Sequence, residues 1–342
     1  MTSPSHPLSY NDYPLPQIRL SHHPASAPVP TPVILVILNR PEANNAFTDT
    51  MVTSLVTAFD LLSMDPRVKA IVFTGGDPRN RIFCPGMDLD GASKSTSSPP
   101  PSSSLGPEDL AKRREAHRDG GAQVSLAIHR CQKPVIAALN GHAVGVGITM
   151  TLACAARVTH AGAKIGFVFA RRGINMEACS SFFLPRILGA GRALTLVTTG
   201  ATYAAWGPAV RDLFAAVLDE PAEVLPRALG LAEEIAGKTS AVATKAMRDM
   251  LYQGPATPGE AERLESRVFF DLFRGADARE GIRSFLEKRE PRFEARWETD
   301  RPAVWPCWEG KKAVTSETTA EDSGGLMGWV KITSSGRYKV IS

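Results

Sequence analysis

Short runs of aliphatic residues alternate with stretches whose apolar positions recur every three or four residues. Val33 to Leu38 (VILVIL), Lys69 to Thr74 (KAIVFT) and Val135 to Leu139 (VIAAL) are apolar enough to be strands covered on both faces. Between the first two, Thr48 or Asp49 is expected to cap a helix with an apolar side. Strands that alternate with helices are typical of parallel βαβ units, so the sequence predicts an α/β fold.

The pattern after the third strand predicts further short elements. The apolar stretch from Ile148 to Ala156 is expected to begin a helix, and Ile165 to Phe169 to form a short strand. Residues 178–188 and 190–198 are helical candidates.

Beyond residue 239 the pattern is helical only. Its apolar positions are Leu264, Val268, Phe269, Leu272 and Phe273, followed by Ile282, Phe285 and Leu286. This is more apolar surface than a small appendage can bury against itself, which predicts packing on another subunit.

Composition suggests where the folded core ends. Residues 1–30 are rich in proline and lack a periodic pattern, which predicts an extended or disordered arm. The core is expected over 31–255, a C-terminal helical region over 256–295 and an irregular tail over 296–342. The run 93–107 (SKSTSSPPPSSSLGP) is expected to be a mobile excursion inside the core.

Charge and cysteine content exclude several classes of protein. With 39 Lys+Arg against 35 Asp+Glu, the net charge of +4 does not indicate a nucleic-acid partner. The 5 cysteines are scattered and form no CxxC pair, which argues against a disulfide or zinc framework. The longest apolar stretch, Ala143 to Ala156, is shorter than the roughly 20 residues of a membrane span. A soluble protein in a reducing compartment is expected.

Two glycine-containing loops are candidate anion sites. Gly141, Gly145 and Gly147 follow the strand Val135 to Leu139 directly, and Gly86 lies in the loop FCPGMDL (83–89) after the second parallel strand. Glycine allows a sharp turn and a close approach, and the backbone N–H groups at the start of a helix point outward. Both loops are therefore suited to holding negative charge.

Three blocks together resemble the crotonase (enoyl-CoA hydratase/isomerase) superfamily. They are FCPGMDL at 83–89, NGHAVGVGITMTLAC at 140–154 and EGIRSFLEKREPRF at 280–293, and the similarity extends over about residues 31–295. The resemblance implies a crotonase-like spiral of ββα units with a C-terminal helical trimerisation region. It also implies an acyl-CoA thioester as substrate, in a homotrimer or a dimer of trimers.

The resemblance implies an oxyanion hole made of two backbone N–H groups, those of Met87 and Val146. Val146 stands where the family usually has glycine, but a backbone donor does not depend on its side chain. Removing a proton next to a thioester carbonyl places charge on oxygen, and one fixed donor at that oxygen typically contributes about 3–4 kcal/mol.

The expected base is a single glutamate. Hydratases of the family use two glutamates, and the matching positions here are Thr149 and Phe169, neither of which transfers protons. The segment from Asn175 to Arg186 is instead similar to the block that carries the catalytic glutamate of peroxisomal-type Δ3-Δ2-enoyl-CoA isomerases, and Glu177 matches that glutamate. The hypothesis is that Glu177 moves a proton from C2 to C4 of a 3-enoyl-CoA.

The remaining site residues also follow from the resemblance. It places coenzyme A, which is part of the substrate and not a separate cofactor, near Cys84, Gly86, Asp88, Leu89 and Gly145. Phe270 is expected to line the acyl tunnel, and Lys288, on the terminal helix of a neighbouring subunit, to reach a phosphate. No metal ligand is expected, because no histidine pair has metal-ligand spacing.

Several alternatives remain open. Glu177 is also explained as an acid that favours a helix N-terminus. Within the same fold, a hydratase that uses Glu177 alone and a non-catalytic acyl-CoA-binding subunit are the rivals, and a hydrolase is the weaker third. Similarity to the peroxisomal isomerases implies a peroxisomal location, with the cytoplasm as the alternative because neither end of the chain resembles an import signal.

Overall fold

A computed structural model describes residues 6–88 and 106–305, together with the backbone of 330–332 and 338–340. Contacts divide the chain into Met1–Val304 and Trp305–Ser342. The first unit contains a six-stranded sheet, a four-stranded sheet and every candidate site residue that the structure describes.

The larger sheet has six strands, and most of them are parallel. They are β1 Ile18–His22, β2 Val33–Leu38, β3 Ala70–Gly75, β5 Val135–Leu139, β7 Ala156–His160 and β10 Ala216–Leu218. The order is β1-β2-β3-β5-β7-β10, with β1 antiparallel to β2 and all other pairs parallel.

A second sheet of four strands is interleaved with the first along the chain. It contains β4 Ile82–Cys84, β6 His142–Val144, β8 Lys164–Gly166 and β9 Thr202–Ala204, in the order β4-β6-β8-β9. Strands β3, β5 and β7 of the large sheet are each followed by a strand of the small sheet. This repetition is the predicted α/β spiral of ββα units, which is confirmed.

Helices cover both faces of the large sheet. Their bounds are α1 Asp49–Met64, α2 Pro107–Ala116, α3 Gly120–Arg130, α4 Val146–Thr149, α5 Ser180–Leu188, α6 Ala190–Thr199, α7 Pro221–Lys238, α8 Ala241–Gln253, α9 Pro258–Phe273, α10 Ala276–Glu287 and α11 Trp297–Asp300. The predicted cap of α1 is confirmed, because Thr48 Oγ1 accepts a hydrogen bond of 3.1 Å from the N–H of Met51.

The continuous apolar run VILVIL is explained by burial on both sides of β2. Val33, Leu35 and Ile37 pack with α7, whose contact residues Val224, Ala228, Ala232 and Ala236 recur every four positions. The alternate residues of β2 face the core formed with α1. Small alanine side chains on α7 let its backbone approach the sheet closely.

The predicted disordered arm at residues 1–30 is wrong for residues 6–30. Tyr10 is fully buried, and its hydroxyl donates a 2.7 Å hydrogen bond to Asp65. Strand β1 pairs with β2 from Ile18↔Leu38 to His22↔Ile34. The arm is ordered because β2 would otherwise be an unpaired edge, a tertiary requirement that proline content does not reveal.

Two shorter predictions also need correction. The apolar stretch from Ile148 does not form a long helix, because α4 is a single turn that continues as a 3-10 turn at Met150–Ala153 before β7 begins. The strand predicted to reach Phe169 ends at Gly166, and Phe169 lies in the 3-10 turn Val168–Arg172.

The C-terminal helices leave much apolar surface exposed within this chain. On α9 and α10 the exposed side chains include Phe269, Phe270, Phe273, Ile282, Phe285 and Leu286, whereas Leu264 and Val268 are buried.

The tail predicted to be irregular from residue 296 contains α11 and two short antiparallel strands, β11 Val330–Ile332 and β12 Tyr338–Val340. Within the described residues, no helix combines the length and the apolar character needed to cross a bilayer.

Candidate active site

The two glycine loops predicted to hold an anion lie against each other. Strand β4 pairs with β6 through Cys84↔Ala143, so the residues after each strand emerge side by side. A Cβ atom on Gly147 would overlap the carbonyl oxygen of Cys84, and a Cβ on Gly145 would lie 3.8 Å from Cα of Gly86. Glycine at 147 therefore permits the close approach of the two loops.

Both loops use backbone conformations that favour glycine. Gly86 has φ of +116°, and Gly145 has φ of 56° with ψ of −128°. L-residues with side chains rarely adopt these angles. The two glycines therefore turn the chain immediately before Met87 and Val146, the residues predicted to supply the amides.

The amide of Met87 is directed away from its neighbouring chain segment. Phe47 N–H donates to the carbonyl oxygen of Gly86, and Asp88 N–H donates to that of Phe47, both at 2.9 Å. In this isolated parallel bridge, the central residue turns its own N–H to the opposite side. Within residues 6–88 and 106–305, neither the Met87 N–H nor the Val146 N–H has a hydrogen-bond acceptor.

The peptide group that carries the Val146 N–H is strongly polarised at its other end. The carbonyl oxygen of Gly145 accepts hydrogen bonds from the N–H groups of Ile148 and Thr149, each at 3.1 Å, and it lies 3.1 Å from the Thr149 hydroxyl. Hydrogen bonds to a carbonyl strengthen the donor character of the N–H in the same peptide group. The 4% exposure of Val146 also keeps this amide in surroundings with little water.

Glu177 lies immediately before a tight turn. Ala178 and Cys179, the next two residues, have φ of 56° and 55°, and helix α5 begins after them. The carbonyl oxygen of Glu177 accepts a 3.0 Å hydrogen bond from the N–H of Ser180. The turn therefore fixes the backbone of Glu177 outside helix α5. The alternative explanation, an acid that favours a helix N-terminus, does not account for the position of its side chain.

The Glu177 carboxyl group points to helix α4, which directly follows Gly145 of the glycine turn. Thr149 Oγ1 donates a 2.6 Å hydrogen bond to Glu177 Oε1. A Cβ placed on Gly121 would overlap Glu177 Oε2 and lie 3.0 Å from Val146 Cγ2. The carboxyl group and the side chain of Val146 therefore meet at one spot, where only glycine leaves room for them.

Burial raises the pKa of Glu177 from its ordinary value of 4.5 to about 7. The Thr149 hydroxyl opposes this shift by stabilising the charged form, whereas the nearby carboxyl group of Asp119 reinforces it. A carboxyl group with a pKa near neutrality is suited to accept a proton and return it.

Sequence reasoning missed three residues of this cluster. Thr149 was predicted only as a position that had lost a glutamate, yet it is the hydrogen-bond donor to Glu177. Asp119 and Gly121, at the start of α3, were not predicted at all. The Asp-Gly-Gly run before an apolar helix is a local signal, but it does not reveal which side chain the second glycine accommodates. Phe169 is buried and contributes no proton-transferring group.

The residues predicted around coenzyme A have different surroundings. Cys84 is fully buried and donates its thiol to the carbonyl oxygen of Gly86 at 3.8 Å, and burial raises its pKa to about 12. Asp88 forms a 2.7 Å ion pair with Arg40. Both side chains therefore stabilise the loop that carries Met87. Leu89 lies outside the described residues.

Phe270 and Lys288 lie on the C-terminal helices. Phe270 is exposed on α9 with the guanidinium of Arg274 3.4 Å from its ring centroid, and Lys288 is the C-cap residue directly after α10, with φ of 53°. In the described part of this chain, neither side chain forms a hydrogen bond, ion pair or ring contact with Glu177, Met87 or Val146. The same part of the chain holds no group of three His, Cys, Asp or Glu residues arranged for a metal ion.

Known proteins are similar to this chain across most of its length. Residues 29–296 match the family model described as Enoyl-CoA hydratase/isomerase. Enoyl-CoA hydratase AFT3-1 of Alternaria alternata is 43% identical over 262 residues, which are 77% of this chain and 83% of that protein. (E)-benzylidenesuccinyl-CoA hydratase of Thauera aromatica is 30% identical, over 79% of this chain and 98% of its own length.

The fold of this chain is also similar to that of a solved structure. A probable enoyl-CoA hydratase/isomerase from Mycobacterium abscessus superposes with a TM-score of 0.67 at 27% identity, covering 78% of this chain and 97% of that one. The matched range 29–296 includes both glycine loops, Glu177 and the C-terminal helices α9 and α10.

Proposed function

The chain belongs to the enoyl-CoA hydratase/isomerase family, and from this premise we propose that it is an isomerase that converts 3-enoyl-CoA to trans-2-enoyl-CoA. One observation carries the proposal: the carboxyl group of Glu177, with a pKa of about 7, meets the side chain of Val146 beside Gly121. The two positions that match the hydratase glutamates hold Thr149 and Phe169. One carboxyl group is enough to move a proton between two carbons.

The proposed reaction has two proton transfers. The Glu177 carboxylate takes a proton from C2, so the C2–H bond breaks, an O–H bond forms and the electron pair enters a dienolate. Its oxygen accepts hydrogen bonds from the N–H groups of Met87 and Val146. The protonated Glu177 then gives the proton to C4, the double bond settles between C2 and C3, and the carboxylate is restored. The coenzyme A moiety belongs to the substrate, and no further cofactor takes part.

Thr149 supports both protonation states of the base. Its hydroxyl has one proton and two acceptors in reach, Glu177 Oε1 at 2.6 Å and the carbonyl oxygen of Gly145 at 3.1 Å. It donates to Glu177 when that group is charged. When Glu177 is protonated, the hydroxyl turns to Gly145 and accepts from the carboxyl group instead.

Hydration of a 2-enoyl-CoA is the second candidate. Two observations favour it: the similar proteins AFT3-1 and the enzyme of Thauera aromatica are named as hydratases, and the charge of a second carboxylate, Asp119, raises the pKa of Glu177. Adding water requires one group to activate the water and a proton source for C2, which two neighbouring carboxyl groups supply.

We also propose that a second copy of the chain covers the apolar side chains of α9 and α10. Phe269, Phe273 and Phe285 are 65%, 54% and 80% exposed in this chain, which supports assembly as a homotrimer or a dimer of trimers. In such an assembly, Phe270 lines the acyl tunnel and Lys288 the phosphate site of a neighbouring subunit. This placement accounts for the exposure of both side chains within a single chain.

The test supplies 3-enoyl-CoA and 2-enoyl-CoA separately to the purified protein. The expected result is a shift of the double bond in the first substrate, and rapid hydration of the second without any isomerisation of the first would replace this proposal by the hydratase. Glu177→Gln is expected to abolish turnover, while Glu234→Gln, a matched change on the exposed side of α7, leaves it unchanged. Binding of both thioesters without turnover would instead identify a non-catalytic subunit.

A further inference from the structure

A cavity lies at the opposite end of strands β3 and β5 from the glycine loops. Its volume is about 490 Å³, which is typical of a small-molecule site, and three of its lining residues are lysines, Lys69, Lys133 and Lys245. Lys69 directly precedes β3, and Lys133 lies two residues before β5. The cavity is lined by none of the residues assigned to the proposed chemistry.

The register of the sheet brings Lys69 and Lys133 together. Ile71 of β3 pairs with Val135 of β5, and each lysine stands two residues before its member of that pair. The N–H of Ile71 also donates a 3.0 Å hydrogen bond to the carbonyl oxygen of Pro134, so the pairing continues toward the lysines. Burial lowers the pKa of Lys133, and the neighbouring charge of Lys69 acts in the same direction.

Neither of these two ammonium groups has an ion pair within the residues that the structure describes. Lys133 Nζ forms no hydrogen bond there either. Lys69 Nζ donates a 3.1 Å hydrogen bond to the carbonyl oxygen of Phe293, which carries no net charge. The charge of Asp65 attracts Lys133, but this carboxylate is already bound by Arg67 at 2.6 Å. An ammonium group has three protons to donate, so both lysines retain donors for a ligand.

The other charged side chains that line the cavity are engaged or exposed. Lys245 forms an ion pair with Asp249 one turn along α8. Glu294, Arg296 and Glu298 lie on the segment after α10 and are exposed to solvent, where water and salt screen their charges. The uncompensated positive charge is therefore concentrated at the start of β3 and β5.

We propose that this cavity binds the phosphate group of a small molecule between the ammonium groups of Lys69 and Lys133. A phosphate monoester carries nearly two negative charges at pH 7 and has three acceptor oxygens, which match two neighbouring ammonium groups. A carboxylate has a single charge and pairs best with the planar guanidinium of arginine. The cavity is larger than one phosphate group, and Val68 and Phe293 supply apolar wall for an organic part of the ligand.

This site is independent of the proposed isomerase chemistry, because no step of that reaction uses it. A bound phosphate stabilises the folded protein, since the unfolded chain does not hold Lys69 and Lys133 together. The Glu177→Gln protein should therefore bind phosphate as the wild type does.

The test measures the Tm of the full chain as inorganic phosphate replaces chloride at pH 7 and constant ionic strength. The wild type should show a saturable rise in Tm. Lys133→Met removes the charge and keeps most of the apolar side chain, and its apparent affinity for phosphate should fall on the order of tenfold. Lys112→Met, which removes an exposed lysine of α2, is the matched control and should respond as the wild type does.

Phenyl phosphate serves as a second probe. Tighter binding of phenyl phosphate than of inorganic phosphate supports an organic monoester as the ligand, and equal or weaker binding supports free phosphate. An equal response of Lys133→Met and the wild type to both probes, or a response that does not saturate, would overturn the proposal. If Lys133→Met does not fold, Lys69→Met provides the same comparison, and Lys133→Arg, which keeps the charge, should retain binding.

Discussion

Thr149 Oγ1 lies 2.6 Å from Glu177 Oε1, although the two residues are separated by 28 positions in the chain. The same hydroxyl lies 3.1 Å from the carbonyl oxygen of Gly145. This carbonyl and the N–H of Val146 belong to one peptide group. One side chain therefore connects the proposed base to one of the proposed oxyanion donors. A change at Thr149 should affect both.

Replacing Thr149 by valine keeps the shape of the side chain and removes its hydroxyl. Because the hydroxyl lowers the pKa of Glu177, the pKa should rise above about 7 and the acidic limb of the kcat/KM profile should move to higher pH. The hydroxyl also holds the carboxyl group in one position, and a misplaced catalytic group reacts much more slowly, so kcat should fall roughly ten- to hundredfold.

Thr149→Ser is the matched control, since it keeps the hydroxyl. We expect its profile to resemble that of the wild type. A valine variant with the wild-type midpoint would show that the 2.6 Å contact has no bearing on the titration of Glu177.

The partly buried carboxyl group of Glu177 should make stability depend on pH. Its pKa is about 7 in the folded protein and near 4.5 in the unfolded chain, so it favours folding fully below about pH 4.5 and loses this contribution as the pH rises through 7. Glutamine resembles the protonated form. Glu177→Gln should therefore be more stable than the wild type at pH 8 by on the order of 1–3 kcal/mol, and the difference should shrink toward pH 5.

Urea unfolding at several pH values measures this difference. Glu234→Gln serves as the exposed control and should show no such trend. A constant difference between Glu177→Gln and the wild type across this range would mean that the folded protein does not raise the pKa of Glu177.

The absence of a side chain at Gly121 is expected to be essential for activity. A Cβ there would overlap Glu177 Oε2 and press on Val146 Cγ2, so Gly121→Ala should displace the carboxyl group. We expect kcat/KM to fall at least a hundredfold, because small misplacements of a catalytic group have large effects on rate.

Gly230→Ala is the control for this change. Gly230 lies within α7 with nothing near its Cβ position, so alanine there should raise stability by about 0.5–1 kcal/mol and leave activity intact. Full activity of Gly121→Ala would contradict the position of Glu177 described above.

The close approach of the two loops should be sensitive at Gly147. A Cβ there would overlap the carbonyl oxygen of Cys84, and the backbone of both loops would have to separate. Because Met87 and Val146 lie on different loops, their amides would no longer converge. Losing one such donor typically lowers kcat by about 10²–10³.

Gly191→Ala on α6 provides the comparison, since nothing lies near its Cβ position. Steady-state kinetics should show a loss of kcat for Gly147→Ala and no loss for Gly191→Ala. Unchanged kcat in a folded Gly147→Ala protein would separate the loop contact from the chemistry.

The sequence alone predicted the central parallel strands and the glycine turns, and it singled out Glu177 as the proposed base. A run such as VILVIL is apolar at every position only when both faces are covered, and glycines directly after a strand mark a turn with an exposed backbone. The three similar blocks were enough to predict the spiral fold. These features are encoded locally, in which residues must be buried and which must turn.

Only the tertiary structure decided what surrounds Glu177. Thr149 and Gly121 approach it because α3, α4 and the turn before α5 come together, and no local pattern specifies which loop ends converge. The order of residues 6–30 was likewise decided by the open edge of β2, which β1 fills. Local sequence sets the burial and curvature of each element, whereas contacts between distant segments depend on how the elements pack.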